Sequence, residues 1–203
     1  MQVWRRTACC VLSCVLSMSA LVATAQMGAP AAQGPAIGSI STPSAAMDSQ
    51  LSLIEMEMMS AVKAMPAEKF AFAPSAAIFV PAQKTEFATV RTFAQQATHV
   101  AEANYFFAYL VMGQQPDAKV RAVEKLTGKD EVVAALADSF ALAHKAMATL
   151  TPANAFEVIK SPEPGFATRA TLSGFLIAHA NDHYGQMVEY LRMNGIVPPA
   201  SAK

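Results

Sequence analysis

Residues 168–199 read TRATLSGFLIAHANDHYGQMVEYLRMNGIVPP, and the apolar spacing in this stretch decides the fold class. Leu172, Phe175, Leu176, His179, His183, Gln186, Met187 and Tyr190 recur at intervals of three and four, which puts them on one face of an α-helix. That helix is predicted to begin near Thr168 and to stop at Asn194. Gly195 readily takes the left-handed conformation that ends a helix, and Pro198 and Pro199 cannot extend one. Three further helical patterns precede it. The first runs from about Asp48 to Met65, with Leu51, Ile54, Met58 and Val62 on one face and Pro66 as its stop. The second runs from about Thr85 to Met112. The third runs from about Asp130 to Leu150, with Val133, Leu136, Phe140, Ala143, Met147 and Leu150 as its stripe and Asp130 and Glu131 suited to its first turn. Between Pro66 and Lys84, a proline-punctuated segment carrying Phe70, Phe72 and Phe79 is expected to cap one end of the core without being helical. No segment alternates convincingly with period two. Four helices and two long links, Met65 to Thr85 and Leu150 to Thr168, predict an all-α antiparallel four-helix bundle in which at least one link crosses an end.

Three of the four histidines fall on faces that such a bundle must bury. His179 and His183, spaced i and i+4, share one helical face with side chains about 5–6 Å apart. Two adjacent imidazoles on a buried stripe are costly unless their nitrogens find partners, and one metal ion would satisfy a nitrogen of each ring. Separate buried hydrogen bonds would serve as well, so the pair alone does not decide. His99 adds to the case because it lies mid-helix in Gln95-Gln96-Ala97-Thr98-His99-Val100-Ala101-Glu102, with Ala103, Phe106 and Leu110 continuing its stripe. Three neutral imidazoles with an open fourth position form the arrangement that keeps a metal-bound water or thiol reactive. Glu102, three residues after His99, is the candidate catalytic proton carrier, with a ligand, an outer hydrogen-bond acceptor and a solvated carboxylate as its other readings. Gln186 is expected to make an outer hydrogen bond and Asp182 to face solvent. His144 lacks a histidine at i±3 or i±4 and is read as packed or exposed rather than ligating.

The first residues bear on the compartment. Arg5 and Arg6 precede an uncharged, mostly apolar run from Thr7 to Val22, followed by Ala23-Thr24-Ala25. This pattern predicts a signal peptide over 1–25 with cleavage after Ala25, and hence a periplasmic or extracellular protein. Cys14 after Val11-Leu12-Ser13 leaves a lipoprotein reading open, and the run falls short of the roughly 20 apolar residues of a membrane anchor. All three cysteines, Cys9, Cys10 and Cys14, lie inside that segment, so the mature chain would hold no disulfide and no thiolate ligand. Residues 26–45, rich in Ala, Gly, Pro and Ser, are expected to form a flexible tether ahead of a bundle domain over 46–199. Loss of Arg5 and Arg6 leaves 13 of the 15 basic residues against 15 acidic, a net charge of −2. That balance attracts neither nucleic acid nor an anionic membrane surface, and no mature segment is long and apolar enough to span a bilayer.

The segment His179-Ala-Asn-Asp-His183-Tyr-Gly-Gln186, running on to Pro199, resembles the closing helix of the DinB-like superfamily. Thr98-His99-Val-Ala-Glu102-Ala-Asn-Tyr-Phe-Phe107 is similar to that family's second helix, in the same order and separation. The resemblance covers the chain from about Asp48 to Pro199. It implies a four-helix bundle with a three-histidine divalent site, here His99, His179 and His183, holding Zn, Ni or Fe. It also implies a relationship to metal-dependent transferases that add low-molecular-weight thiols, such as bacillithiol or mycothiol, to electrophiles.

The expectation is therefore an exported metal-binding protein and potential thiol S-transferase or hydrolase, whose partner is a small-molecule electrophile or thiol. A homodimer is left open. The competing class is a non-catalytic metal-binding or stress-related bundle in which the ion only cross-links two helices. Non-covalent haem is a third reading, since there is no C-x-x-C-H attachment motif. No G-x-S-x-G elbow and no phosphate-binding glycine loop occur.

Overall fold

The computed structural model describes residues 34–75, 90–161 and 165–202. The proposed signal peptide, with its three cysteines, lies outside the described residues, as does Phe79. Five α-helices form among the described residues, all within the unit Gly38–Lys203: α1 Pro43–Ala64, α2 Phe93–Val111, α3 Lys119–Val123, α4 Lys129–Ala148 and α5 Arg169–Met193. There is no strand among them, only an isolated bridge between Val158 and Thr168. No described helix is long and apolar enough to cross a membrane.

Each helix boundary has a local cause. Thr168 caps α5 through a reciprocal box with Thr171, and Gly195 follows the helix at φ 72°, the conformation its missing Cβ permits. α1 begins five residues before the expected Asp48, within the stretch read as tether. Thr42 accepts from Ala45 N and Pro43 supplies a preset first turn. α2 begins at Phe93 rather than near Thr85, with residues 85–89 outside the described residues. The reason is a capping box between Thr92 and Gln95. Its first amides are all satisfied: Phe93 N donates to Phe72 O at 2.8 Å and Ala94 N to Phe70 O at 2.9 Å, while Gln95 N donates to the Thr92 hydroxyl at 3.2 Å. The segment after α1 thus does cap one end, with a single 3-10 turn at Ala67–Lys69. Phe70 packs edge-on against Phe93 at 5.4 Å and Phe72 against Tyr190 at 5.7 Å.

The core is the set of stripes the spacing selected, with one exchange. Leu51, Ile54, Met58 and Val62 of α1, Leu136, Phe140, Ala143 and Met147 of α4, and Leu172, Leu176 and Met187 of α5 are buried. In α4 it is Val132, not Val133, that heads the stripe, because 132, 136, 140, 143 and 147 keep one phase of the helix. Alanines dominate the buried face of α2, namely Ala94, Ala97, Ala101 and Ala108, and let neighbouring backbones approach closely.

α1 packs on α4 and α5, and α2 packs on the same two, so α1 and α2 are diagonal, as are α4 and α5. Lys129 Nζ, at the start of α4, donates at 2.8 Å to Lys63 O and Met65 O at the end of α1. Tyr190 near the end of α5 donates at 3.0 Å to Arg91 O ahead of α2. α1 and α4 are therefore antiparallel, and so are α2 and α5. Lys69 Nζ just beyond α1 reaches Asn194 O at the end of α5 at 3.3 Å, so α1 and α5 run in the same direction. α2 and α4 run together the other way, because the connection through α3 returns along the bundle before α4 starts. The two diagonal connections cross opposite ends. The pairing that matters for function is the antiparallel one between α2 and α5, which sets residues 96–102 beside residues 179–186.

His144 has a structural role on the α1–α4 face. Its Nδ1 lies 2.6 Å from Asp48 and its Nε2 2.9 Å from Glu55. Burial lowers its pKa, but the hydrogen bonds and charges of Asp48 and Glu55 more than reverse this and hold it above the ordinary 6.5. A raised folded-state pKa stabilises fully below about 6.5, and the contribution fades as pH rises through the higher folded value. The difference in melting temperature between wild type and His144→Ala is accordingly expected to be larger at pH 6 than at pH 9. An equal difference at both would show that the clamp is not ionic.

Candidate metal centre

Sequence spacing alone could not say whether α2 and α5 meet in register, and the structure brings His99, His179 and His183 to one point. His179 Nε2 lies 3.3 Å from His99 Nε2 and 3.2 Å from His183 Nε2. The ring centroids are 4.5–5.0 Å apart, all three pairs edge-on, so the rings converge rather than stack. A tetrahedral ion with metal–nitrogen bonds of about 2.0–2.1 Å requires ligand nitrogens about 3.3–3.4 Å apart, close to the spacing found from His179 to each of the other two. The three form one group whose ligand atoms could hold a metal ion.

Protonation agrees with that geometry. Burial, then the charges of Arg91 and His183, pushes His99 down to about 4. Burial, followed by His183 and His99, takes His179 to about 4 as well. His183, also lowered chiefly by burial, is 5% exposed. All three are neutral at neutral pH, the form in which imidazole ligates a metal.

One tautomer is fixed by a hydrogen-bond chain that ends in a carboxylate. Asp182 can only accept, so Gln186 presents its NH₂ to Asp182 Oδ2 at 2.9 Å. The Gln186 carbonyl then accepts from Gln96 Nε2 at 2.8 Å, and Gln96 Oε1 is left facing His183 Nδ1 at 2.6 Å. His183 must therefore donate from Nδ1, which frees its Nε2 lone pair toward the other two rings. This is the outer support that ligating histidines generally have. Gln186 makes the outer bond expected of it, one step further out than His183 itself. Asp182 is solvent-exposed as expected, yet it sets the polarity of the whole chain. Gln96, buried at 3% exposure, is the functional residue that spacing did not single out. Its signal was its position on the His99 face, one turn earlier.

His99 and His179 are supported differently. His99 Nδ1 approaches Glu102 Oε2 at 3.6 Å, so the expected neighbour is present. His179 Nδ1 is buried with no hydrogen-bond partner among the described residues. A ring with one orphaned nitrogen and another crowded by two imidazole nitrogens is poorly satisfied by protein alone, and a cation at the common point relieves the crowding. The residues therefore fit a divalent ion. Glu102 itself is pushed up to about 7, first by burial, then by a hydrogen bond with Glu124 and that group's charge, against the opposing charges of Arg91 and Arg121. Glu124 follows α3, and no helical spacing could have linked it to Glu102. His144 takes no part in the cluster.

The open side of the three-nitrogen point leads into a cleft of about 370 Å³, walled by His99, Glu102, Phe106, Phe107, Phe175 and His179. Structural metal sites are closed by four protein ligands, whereas catalytic ones keep a position open. Three imidazoles, two of them lining an open cleft, match the second pattern.

The family model described as the DinB superfamily matches residues 50–187. The match includes all three histidines and Gln96, Glu102 and Gln186. No curated protein matches the chain.

Proposed function

The chain belongs to the DinB superfamily, and from that membership and the three-histidine cluster we propose an exported metal-binding protein that joins a thiol or water to a small-molecule electrophile. The observation that carries the reading is the approach of His179 Nε2 to His99 Nε2 at 3.3 Å and to His183 Nε2 at 3.2 Å, beside an open cleft. A bound Zn²⁺, Ni²⁺ or Fe²⁺ would supply Lewis acidity, lowering the pKa of a thiol or water in the open position.

The protein's own residues account for the remaining requirements. His183, held at Nδ1 by Gln96, points its Nε2 lone pair toward the other two rings and would offer it to the ion. Glu102, on the cleft wall beside His99, takes up the proton lost by the thiol or water, as its upward-shifted pKa suits it to do near neutral pH. The phenylalanines beside the site limit water around the reacting atoms. Export is supported by Arg5 and Arg6, the apolar run and the Ala23-Thr24-Ala25 site, with a linker ending ahead of the Thr42 cap of α1 and the helical domain following it.

The open cleft favours turnover over a purely cross-linking ion. With one equivalent of divalent ion, a low-molecular-weight thiol and a panel of chromogenic electrophiles, product should form faster than in the protein-free control. It should stop on chelation. Metal binding without product from any electrophile would leave the non-catalytic bundle as the correct reading.

A further inference from the structure

The wall of the cleft carries information about the ligand that the metal cluster does not. Phe175 stacks on Phe166 at 4.2 Å with 28° between planes, meets Phe107 edge-on at 5.0 Å and lies 5.9 Å from the His179 ring. Phe106 meets Phe107 edge-on at 5.3 Å. The rings thus brace one another, and the row ends at a ligating histidine. Phe106 and Phe175 are only half-buried, so part of their apolar surface faces the cleft. The polar atoms of the wall belong to His99, His179 and Glu102, grouped at the metal end. Glu102 and Glu124 lie side by side at that end, with the charges of Arg91 and Arg121 near enough to act on Glu102, so charge is gathered there and not along the rings.

We propose that the cleft selects a flat aromatic ligand with one metal-binding donor group, its ring lying against Phe175 and Phe106 and its donor at the three-nitrogen point. This rests on the metal reading above and adds the class of molecule. A volume of about 370 Å³ admits such a molecule, being near the lower end of the roughly 300–1,000 Å³ common for small-ligand pockets. Rings held in place by their neighbours bind another ring without first being ordered, and edge-on or offset contacts add to the burial of apolar surface. A polar, multiply charged thiol would leave these rings wet and gain none of this.

The test uses two probes that differ in the ring alone, benzohydroxamate and acetohydroxamate, titrated into the protein loaded with cobalt(II), whose visible spectrum reports ligand entry. Benzohydroxamate is expected to bind at least about tenfold more tightly, a difference the burial and contacts of one ring readily supply. Phe175→Ala and, as an independent variant at a half-exposed position, Phe106→Ala should each cut that ratio severalfold. Equal affinities for the two probes in wild type, or a ratio that survives both substitutions, would overturn the aromatic selection while leaving the metal site standing. A wild-type protein that takes up no cobalt would overturn both.

Discussion

Replacing His183 with alanine is expected to abolish tight binding of a divalent ion, weakening it by on the order of a hundredfold or more. Loss of an outer-sphere partner already costs about 10–100-fold in such sites, and His183 is itself a ligand. It is also the most buried of the three and the one whose tautomer is fixed, so no neighbouring donor can replace its Nε2. The result is read most directly as heat stability. An ion at a hundred times its dissociation constant stabilises the folded state by about 2.7 kcal/mol. In a domain of this size that raises the melting temperature by about 5–11 °C, at about 2–4 °C per kcal/mol. Wild type should show this rise with added ion, and His183→Ala at the same ion concentration should show no more than about 1–2 °C. Without ion the substitution should act more mildly, since the cavity it leaves is offset by relief of a site where nitrogens crowd at 3.2–3.3 Å. An undiminished metal-dependent rise in the variant would show that the ion binds elsewhere.

The ends of α5 and the face carrying His179 and His183 were legible in the sequence because they depend on local chemistry: apolar spacing, a glycine terminator and two prolines. The same is true of the α1 stripe, whereas the meeting of α2 and α5 was an expectation resting on the need of three imidazoles for a common partner. Features that depend on through-space pairing were not legible. The same-direction packing of α1 with α5 and of α2 with α4 follows from the path of the connection through α3, and spacing within helices carries no information about it. Glu124 reaches Glu102 from that same connection. The start of α2 was a different case. The Thr92-x-x-Gln95 box was present in the sequence, but the upstream residues Phe87 and Val90 extend the apolar spacing and hid the boundary.

The chain from Asp182 through Gln186 and Gln96 to His183 leads to a prediction that separates metal support from mere packing. Gln96→Ala should weaken metal binding by about 10–100-fold, because His183 Nδ1 loses its buried acceptor and the ring no longer has a preferred tautomer or orientation. Gln96→Glu should retain most of the affinity. A carboxylate can only accept, so it still compels His183 to donate from Nδ1, although it gives up the donor that Gln186 now receives. Asp182→Asn, at the exposed end, should have a smaller effect of about threefold at most, since the buried amides keep their contacts and lose only the group that fixes their sense. Competition with a chromophoric chelator measures all three. If alanine and glutamate at position 96 weakened binding equally, an acceptor for His183 Nδ1 would not be what supports the site. The ordering of glutamate above alanine is what a tautomer-setting role requires, and Gln96→Leu, which nearly keeps the side-chain volume but offers no acceptor, should then bind as weakly as alanine, whereas a packing role would let it bind as well as glutamate.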